Sequence, residues 1–203
     1  MSDSVETAPM PTRYSTVAIV LHWLIAVMIL SLVFVGWWME DLRYQAITGE
    51  VSFDFTQSIY NWHKTFGITV LILSLARLGW RLTHPVPALP ETMTAWEKLA
   101  ARGTHIAFYA MMIGLPIGGW VTASATNFPT KLFNIEGFLL PNLPVPQTEA
   151  FYEFASSAHG MGGWFVLLTA ALHVAGALKH HFIERDGVLA RMIPGLNIPT
   201  QKS

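Results

Sequence analysis

Four long apolar stretches with few charged residues alternate with polar or proline-rich segments along the chain. The apolar stretches cover residues 16–39, 59–82, 104–125 and 158–182, and the connections cover 42–58, 83–102 and 126–157. A helix needs about 20 mostly apolar residues to cross the ~30 Å hydrocarbon layer of a membrane, and each stretch reaches that length. The pattern therefore predicts four transmembrane helices. Pro116, inside the third stretch, is compatible with a membrane helix.

The composition agrees with a membrane protein. Hydrophobic residues make up 52% of the chain and charged residues only 12%, and the mean hydropathy is +0.42. A soluble domain has about a quarter charged residues. The first stretch is too long for a signal-peptide core, and no small-residue cleavage site follows it. We find no internal repeat and expect one membrane domain, residues 16–183, between tails 1–15 and 184–203. The net charge of −1 argues against nucleic acid as a partner.

Lysine and arginine residues are distributed unevenly between the two predicted membrane faces. Nine lie on the face that carries both termini: Arg13, Arg77, Arg81, Lys98, Arg102, Lys179, Arg185, Arg191 and Lys202. The opposite face has three, Arg43, Lys64 and Lys131, with seven acidic residues, Glu40, Asp41, Glu50, Asp54, Glu136, Glu149 and Glu153. Cytoplasmic segments of membrane proteins are enriched in Lys and Arg. The distribution predicts that both termini are cytoplasmic.

Histidines in three of the spans lie at depths that match in pairs. His159 and His173 are 14 residues apart in the fourth span, which is almost four helical turns and a rise of ~21 Å. His22 lies at about the depth of His173, and His63 at about the depth of His159. Ligating side chains at such depths are costly and usually functional. The pattern predicts two stacked metal or haem centres, one held by His22 and His173 and one by His63 and His159.

The chain contains no cysteine, which excludes iron–sulfur clusters, thiolate haem ligands and the covalent attachment of c-type haem. Any haem is then bound non-covalently, with histidine as the obvious axial ligand. A single buried histidine is more often a packing residue that is hydrogen-bonded to a neighbouring helix. Four histidines in two matched pairs are harder to explain in that way. A histidine-lined transporter of metal ions or protons, without haem, stays an alternative.

Four other histidines are less well placed as ligands. His105 begins the third span about a turn shallower than His22 and His173, so we expect it at the interface or beside the pair. His84, His180 and His181 fall at or beyond the span ends. We expect these three at the surface, although a role near a cytoplasmic substrate site stays open.

Two basic residues are candidates for cofactor binding. Arg77 follows His63 by 14 residues, so its guanidinium should reach the depth of the cytoplasmic pair, where it could bind haem propionates. It could equally extend to the lipid headgroups. Lys64, beside His63, could serve the outer haem or attract an anionic substrate. Several glycines near the histidines would leave room for a flat macrocycle or allow close helix packing: Gly67, Gly160, Gly162, Gly163 and Gly176.

Several motifs between residues 14 and 194 resemble the bacterial cytochrome b561 family. They are His22-Trp23, Trp62-His63-Lys64, Arg77-Leu78-Gly79-Trp80-Arg81, Gly114-Leu115-Pro116-Ile117-Gly118-Gly119-Trp120, Leu172-His173, Lys179-His180-His181-Phe182, Arg185-Asp186-Gly187 and Arg191-Met192-Ile193-Pro194. The resemblance implies an all-α membrane protein, a four-transmembrane-helix bundle enclosing two b haems in the inner membrane. It also implies electron exchange with quinone, and axial ligands at His22, His63, His159 and His173.

The electron donor is less clear from the resemblance. One branch of the family is a superoxide oxidase, which passes electrons from superoxide to ubiquinone. Positive charge would steer superoxide to its entry site, and the seven acidic residues of the outer face depart from that expectation. Quinol or a redox protein are other candidate one-electron donors. An alternative function is a haem-bearing anchor subunit for a dehydrogenase or hydrogenase-type partner, with the long connection 126–157 as the docking surface.

Overall fold

The computed structural model describes residues 11–196 and consists mainly of four long helices. They are α1 (Thr16–Thr48), α2 (Phe53–Thr83), α3 (Ala95–Ser124) and α4 (Glu149–Lys179). By length and composition, each is long and apolar enough to cross a membrane. The predicted all-α, four-span architecture is confirmed. Residues 1–10 and 197–203 of the predicted tails, including Lys202, lie outside the described residues.

Polar residues beyond the apolar stretches determine where the helices begin and end. The side chains of Ser15, Ser52, Thr94 and Thr148 each accept a hydrogen bond from a backbone N–H in the first turn of the following helix. Such N-caps satisfy backbone donors that have no partner within the helix. At the other end of α1, Gly49 has a φ of 80°, a left-handed conformation that glycine adopts without strain.

These caps make the connections shorter than the hydropathy pattern predicts. The predicted connections 42–58, 83–102 and 126–157 are reduced to 49–52, 84–94 and 125–148. Hydropathy falls at the membrane surface, whereas helical hydrogen bonding continues until a cap or a turn interrupts it. The predicted spans therefore mark the apolar part of each helix and not its full length.

The helices pack in the order of the chain, α1 against α2, α2 against α3 and α3 against α4. Ile25, Val70 and Met112, from the first three helices, form a small buried core. Many other large apolar side chains face outward; Val27 and Ile72, for example, are each 61% exposed. Lipid is the environment in which such a surface is stable. The bundle therefore depends on the bilayer for much of its apolar burial.

A short hairpin covers one end of the bundle, which we call the hairpin end. Strands β1 (Thr130–Lys131) and β2 (Leu139–Leu140) pair antiparallel, and a 3₁₀ turn, Leu132–Asn134, follows β1. The hairpin is docked on α2. Asn61 donates its Nδ2 to Oδ1 of Asn134 at 2.9 Å, and the hydroxyl of Thr65 accepts from the backbone N–H of Phe133 at 2.9 Å.

The docking contacts hold two residues in an uncommon backbone conformation. Phe133 and Asn134 have φ values of 54° and 56°, in the left-handed region that non-glycine residues rarely adopt. Such conformations persist where surrounding contacts determine them. Asn61 and Thr65, each 2% exposed, supply those contacts here. These contacts therefore hold the hairpin in one position against the side of α2.

Both ends of the described chain meet at the opposite end of the bundle, which we call the termini end. After α4 the chain forms a π-helical turn, His180–Glu184, and a 3₁₀ turn, Leu189–Arg191. The backbone N–H of Tyr14 donates to the carbonyl of Arg191 at 3.4 Å. An even number of spans requires this arrangement, because the chain then leaves the membrane on the side where it entered.

Candidate functional site

The histidines that match in depth are also neighbours in space. On the termini side, His22 of α1 and His173 of α4 have ring centroids 6.2 Å apart. On the hairpin side, His63 of α2 and His159 of α4 also have centroids 6.2 Å apart. We call these the inner pair and the outer pair. Each pair joins two helices, and α4 contributes one ring to both.

The ring separation fits a metal shared between the two imidazoles of each pair. A metal–imidazole bond is about 2.0–2.1 Å long. Two such bonds in line, with the distance from each bonded nitrogen to its ring centre, amount to about 6 Å. Both observed separations are 6.2 Å. They are too long for a direct hydrogen bond between rings in line, and they would allow one metal ion to be held between the two imidazoles.

Helix α3 orients one of the rings. Nδ1 of His159 lies 3.1 Å from the carbonyl oxygen of Leu115. A carbonyl only accepts hydrogen bonds, so Nδ1 carries the proton and donates it. The lone pair is then on Nε2, which is the tautomer that binds a metal through Nε2. Metal-ligating histidines commonly donate their other N–H to a backbone carbonyl in this way.

Three other histidine rings contain a buried nitrogen without a protein partner. Within residues 11–196, Nδ1 of His22, of His63 and also of His181 is buried and makes no hydrogen bond. Buried polar atoms of this kind are rare, and an ion or other bound group is a common reason for them. The protein therefore supplies no hydrogen bond to Nδ1 of His22 or His63, and one ring of each pair is not held in place by this nitrogen.

A large cavity adjoins the outer pair. Its volume is about 720 Å³, and both His63 and His159 line it. Cavities of 300–1,000 Å³ are typical of cofactor sites. Five glycines contribute to the wall: Gly36, Gly67, Gly119, Gly160 and Gly163. The wall is mostly apolar, as a flat hydrophobic macrocycle with two polar edge groups requires.

Two of these glycines directly adjoin the histidines, although the sequence pattern did not single them out. A Cβ on Gly119 would lie 2.9 Å from Cε1 of His159, and one on Gly36 would lie 3.6 Å from Cε1 of His63. A side chain at Gly119 would therefore require the His159 ring to shift. By contrast, Gly162 packs against Leu115, which is the helix-packing role that the sequence left open for it. Gly176 has open space around it.

Lys64 supplies a positive charge to the cavity. Its side chain lines the wall, and Nζ donates to the hydroxyl of Thr130, which is 2% exposed, at 3.1 Å. Within the described part of the chain, no carboxylate lies within 4.0 Å of this ammonium group. An ammonium has three donors, so Lys64 can still bind an anion in the cavity.

Arg77 takes the corresponding position near the inner pair. Its guanidinium lies within electrostatic range of His22 and His173. It lines a small cavity between the helices together with Trp80, Arg81 and Tyr109. Among the described residues it has no carboxylate partner within 4.0 Å. Arg77 is partly buried at this position, and its role at the cytoplasmic pair stays a prediction.

His105 lies closer to the inner pair than a residue at the membrane interface would. Its ring centroid is 5.6 Å from that of His173, and the ring of Phe108 also packs against His173, with centroids 5.3 Å apart. His173 therefore has three aromatic or imidazole neighbours. The separation of His105 from His173 is 0.6 Å shorter than the 6.2 Å of each pair, and it suits a flanking position better than an opposing ligand.

The prediction that His180 lies at the surface is wrong. His180 is 8% exposed, and its Nδ1 contacts Oδ2 of Asp186 at 2.6 Å. The turn after α4 folds this carboxylate back onto the helix end, which hydropathy does not reveal. His181 is partly buried, also against expectation. His84 is exposed and stacks on Trp80 with a centroid distance of 3.6 Å.

Comparisons with known proteins find relatives over most of this chain. The chain is similar to cytochrome b561 homolog 2 of Escherichia coli (strain K12), with 29% identity over 90% of this chain and 92% of that protein. It is also similar to the probable superoxide oxidase CybB of Yersinia pestis, with 28% identity over 91% of this chain and 98% of that protein. Cytochrome b562 of Cereibacter sphaeroides is 25% identical over 89% of this chain and 94% of its own length.

The match to a family as a whole covers nearly the entire chain. Residues 13–195 fit the sequence model of the family described as prokaryotic cytochrome b561. Membership implies a b-type haem and membrane electron transfer, and the four apolar helices agree with it. The chain therefore belongs to the prokaryotic cytochrome b561 family and is a multi-pass bacterial membrane protein.

Proposed function

We propose that this chain binds two b haems, one between His22 and His173 and one between His63 and His159, and transfers electrons between the two faces of the bacterial inner membrane. Ubiquinone or another quinone exchanges these electrons with the protein. The observation that carries the proposal is the repeated 6.2 Å ring separation. When bound, the haems supply one-electron redox chemistry. The excess of Lys and Arg supports a cytoplasmic termini end.

The protein contributes orientation and water exclusion to this function. The carbonyl of Leu115 holds His159 in one tautomer and one rotation. Gly36 and Gly119 keep the space beside the outer rings clear. Apolar walls lower the local dielectric and limit contact with water, and both effects help to set a haem potential.

Lys64 and Arg77 are proposed to bind the haem propionates. Each lies beside one histidine pair, and neither has a carboxylate partner among the described residues. Both side chains are partly buried, and a cation that is partly removed from water without a counter-charge is costly. A propionate would supply that charge through a charge-assisted hydrogen bond, with the guanidinium able to bind it in a bidentate manner.

Superoxide is a candidate electron donor. The charge of the hairpin end argues against strong long-range attraction of this anion. Two of its three bases are paired with acids: Arg43 with Glu40 at 3.8 Å and Lys131 with Glu136 at 2.6 Å. All seven acidic residues of this face are exposed. Lys64 is then the available cation, and any attraction of an anion to the outer pair is local.

The structure offers less support for the alternative of an anchor subunit. That alternative assigned the docking surface to the long connection 126–157. The connection is confined to 125–148, and its hairpin is docked on α2 through Asn61 and Thr65. Quinone reduction by the purified chain, without a partner subunit, separates the two functions.

Purified protein should contain two haems b per chain, and the pairs should lose them separately. We expect His63→Ala and His159→Ala each to remove the outer haem and to leave the inner haem spectrum unchanged. Reduced-minus-oxidised spectra with haem quantification provide the measurement. A stoichiometry of one in the unmodified chain, or loss of both haems from either variant, would contradict the pairing.

His105 should not be an axial ligand. We expect His105→Ala to retain both haems, with a change in the potential of the inner haem because the ring packs beside His173. Redox titration of the variant gives both quantities, and His22→Ala serves as the comparison that loses the inner haem. If His105→Ala loses a haem and His22→Ala does not, the inner pair is wrongly assigned.

Gly119 and Gly118 provide a matched pair of substitutions. A Cβ at Gly119 would lie 2.9 Å from the His159 ring, whereas a Cβ at Gly118 has nothing within 4 Å. Overpacking of this kind costs about 1–3 kcal/mol, so Gly119→Ala should weaken retention of the outer haem by roughly tenfold. Gly118→Ala should retain it. The transfer of haem from each variant to apomyoglobin, followed by absorbance, measures how well each variant retains the outer haem. Equal retention in the two variants would show that the space at Gly119 does not confine the His159 ring.

If superoxide enters at Lys64, its reaction should depend on salt. Reduction of the outer haem should slow as ionic strength rises, because screening shortens to ~8 Å near physiological salt. Lys64→Glu should lower the rate well below that of Lys131→Glu, since Lys131 is already paired with Glu136. Stopped-flow absorbance across a salt series measures this. A slow rate that ignores both salt and Lys64 would point to quinol or a redox protein as the donor.

A further inference from the structure

A segment at the termini end, residues 186–196, which we call the strap, crosses the bundle after α4. The reversal that starts it uses Arg185 and Gly187, with φ values of 53° and 76°. Between them, Asp186 places one carboxylate oxygen 2.6 Å from Nδ1 of His180 and accepts the backbone N–H of Val188 with the other at 3.1 Å. Asp186 is 9% exposed. A buried, doubly bonded carboxylate therefore fixes the direction of the strap.

The strap is attached to three other segments by hydrogen bonds to backbone atoms. Arg191 donates to the carbonyl of Ala88 at 2.5 Å, in the connection between α2 and α3. The carbonyl of Arg191 accepts from Tyr14, just before α1. The carbonyl of Met192 accepts from Nε1 of Trp23, inside α1, at 2.9 Å. The strap is therefore bonded to α1, to the segment just before α1 and to the connection between α2 and α3.

Trp23 brings the strap within one residue of the inner pair. Its ring packs edge-on against His22, with centroids 5.1 Å apart and an interplanar angle of 73°. Trp23 is 43% exposed, so burial alone does not fix the rotation of its ring. The bond from Nε1 to Met192 supplies the missing constraint. An unbroken series of contacts then runs from Asp186 through the strap and Trp23 to His22.

We propose that Asp186 and Trp23 are positioning residues for the inner haem, acting through the strap. This rests on the proposed function in one respect, that His22 is an axial ligand. The strap holds the Trp23 ring against His22 at the termini end of the bundle. Axial-ligand orientation and exposure to water both tune a haem potential. Release of the strap admits water, favours the more highly charged ferric state and lowers the potential of the inner haem alone.

Two substitutions with matched controls test the proposal in the full-length, haem-loaded protein. Trp23→Phe keeps an aromatic ring and removes the N–H that binds Met192; its control is Trp96→Phe, which alters an exposed tryptophan at the same end of the bundle. Asp186→Asn removes the carboxylate that binds His180. Its control is Glu184→Gln, which affects an exposed acid in the adjacent turn that pairs with Lys179.

Potentiometric titration, with the two haem components resolved spectroscopically, is the measurement. The component absent from His22→Ala identifies the inner haem. Trp23→Phe and Asp186→Asn should each lower the potential of that component and leave the other unchanged, and both controls should match the unmodified protein. The double variant should shift no further than the larger single shift, since both changes interrupt one series of contacts.

Several results would overturn the proposal. Trp23→Phe with an unchanged inner potential excludes a positioning role even if Asp186→Asn fails to fold. Equal shifts of both components would indicate general loosening of the bundle. Additive shifts in the double variant would show that the two residues act independently. Failure of the proposed function is distinguishable, because His22→Ala would then retain both haem components.

Discussion

Imidazole rings placed inside a lipid-facing bundle need partners for their nitrogens in an environment that supplies little water. Four rings have that problem here, and within residues 11–196 only His159 of these four has a hydrogen bond to the protein, to the carbonyl of Leu115. Nδ1 of His22 and Nδ1 of His63 have no partner in the described part of the chain. The rings instead lie in pairs, with centroids 6.2 Å apart in each pair, a spacing that suits a shared metal. In the proposed function, the bound metal satisfies one nitrogen of each ring.

Helix α4 is central to that arrangement because it carries one ring of each pair. A separation of 14 residues brings His159 and His173 to nearly the same face of the helix, ~21 Å apart along its axis. Helices α1 and α2 then supply one opposing ring each. Helix α3 supplies no ligand to either proposed pair. It instead orients His159 through the carbonyl of Leu115 and leaves space beside that ring at Gly119. The hairpin lies at the end of the bundle that holds the outer pair, and the strap lies at the end that holds the inner pair.

The parts of this structure that follow from helical geometry and hydropathy are predictable from sequence. Four spans appear as long apolar stretches, and the constant rise per residue brings His22 to the level of His173 before any coordinates are known. The predicted helices are shorter than the observed ones. Ser52 and Thr148 set the starts of α2 and α4 through individual hydrogen bonds, which hydropathy does not reveal.

Contacts that depend on the geometry of a turn or on how two helices cross were beyond prediction. The burial of His180 depends on how Asp186 folds back, and the role of Gly119 depends on which ring lies opposite it across two helices. The repeated glycine at positions 118 and 119 was a visible signal, but nothing in the sequence distinguishes the glycine that faces His159 from the one that faces open space. Such distinctions require the crossing geometry of the helices.

Electron paramagnetic resonance of the fully oxidised, purified chain tests the central claim most directly, because it reports the ligands of each ferric haem separately. Two bis-histidine haems predict two low-spin ferric signals of equal integrated intensity, together accounting for two spins per chain. A substantial high-spin signal, or a low-spin intensity equal to one spin per chain, would contradict the paired-histidine account.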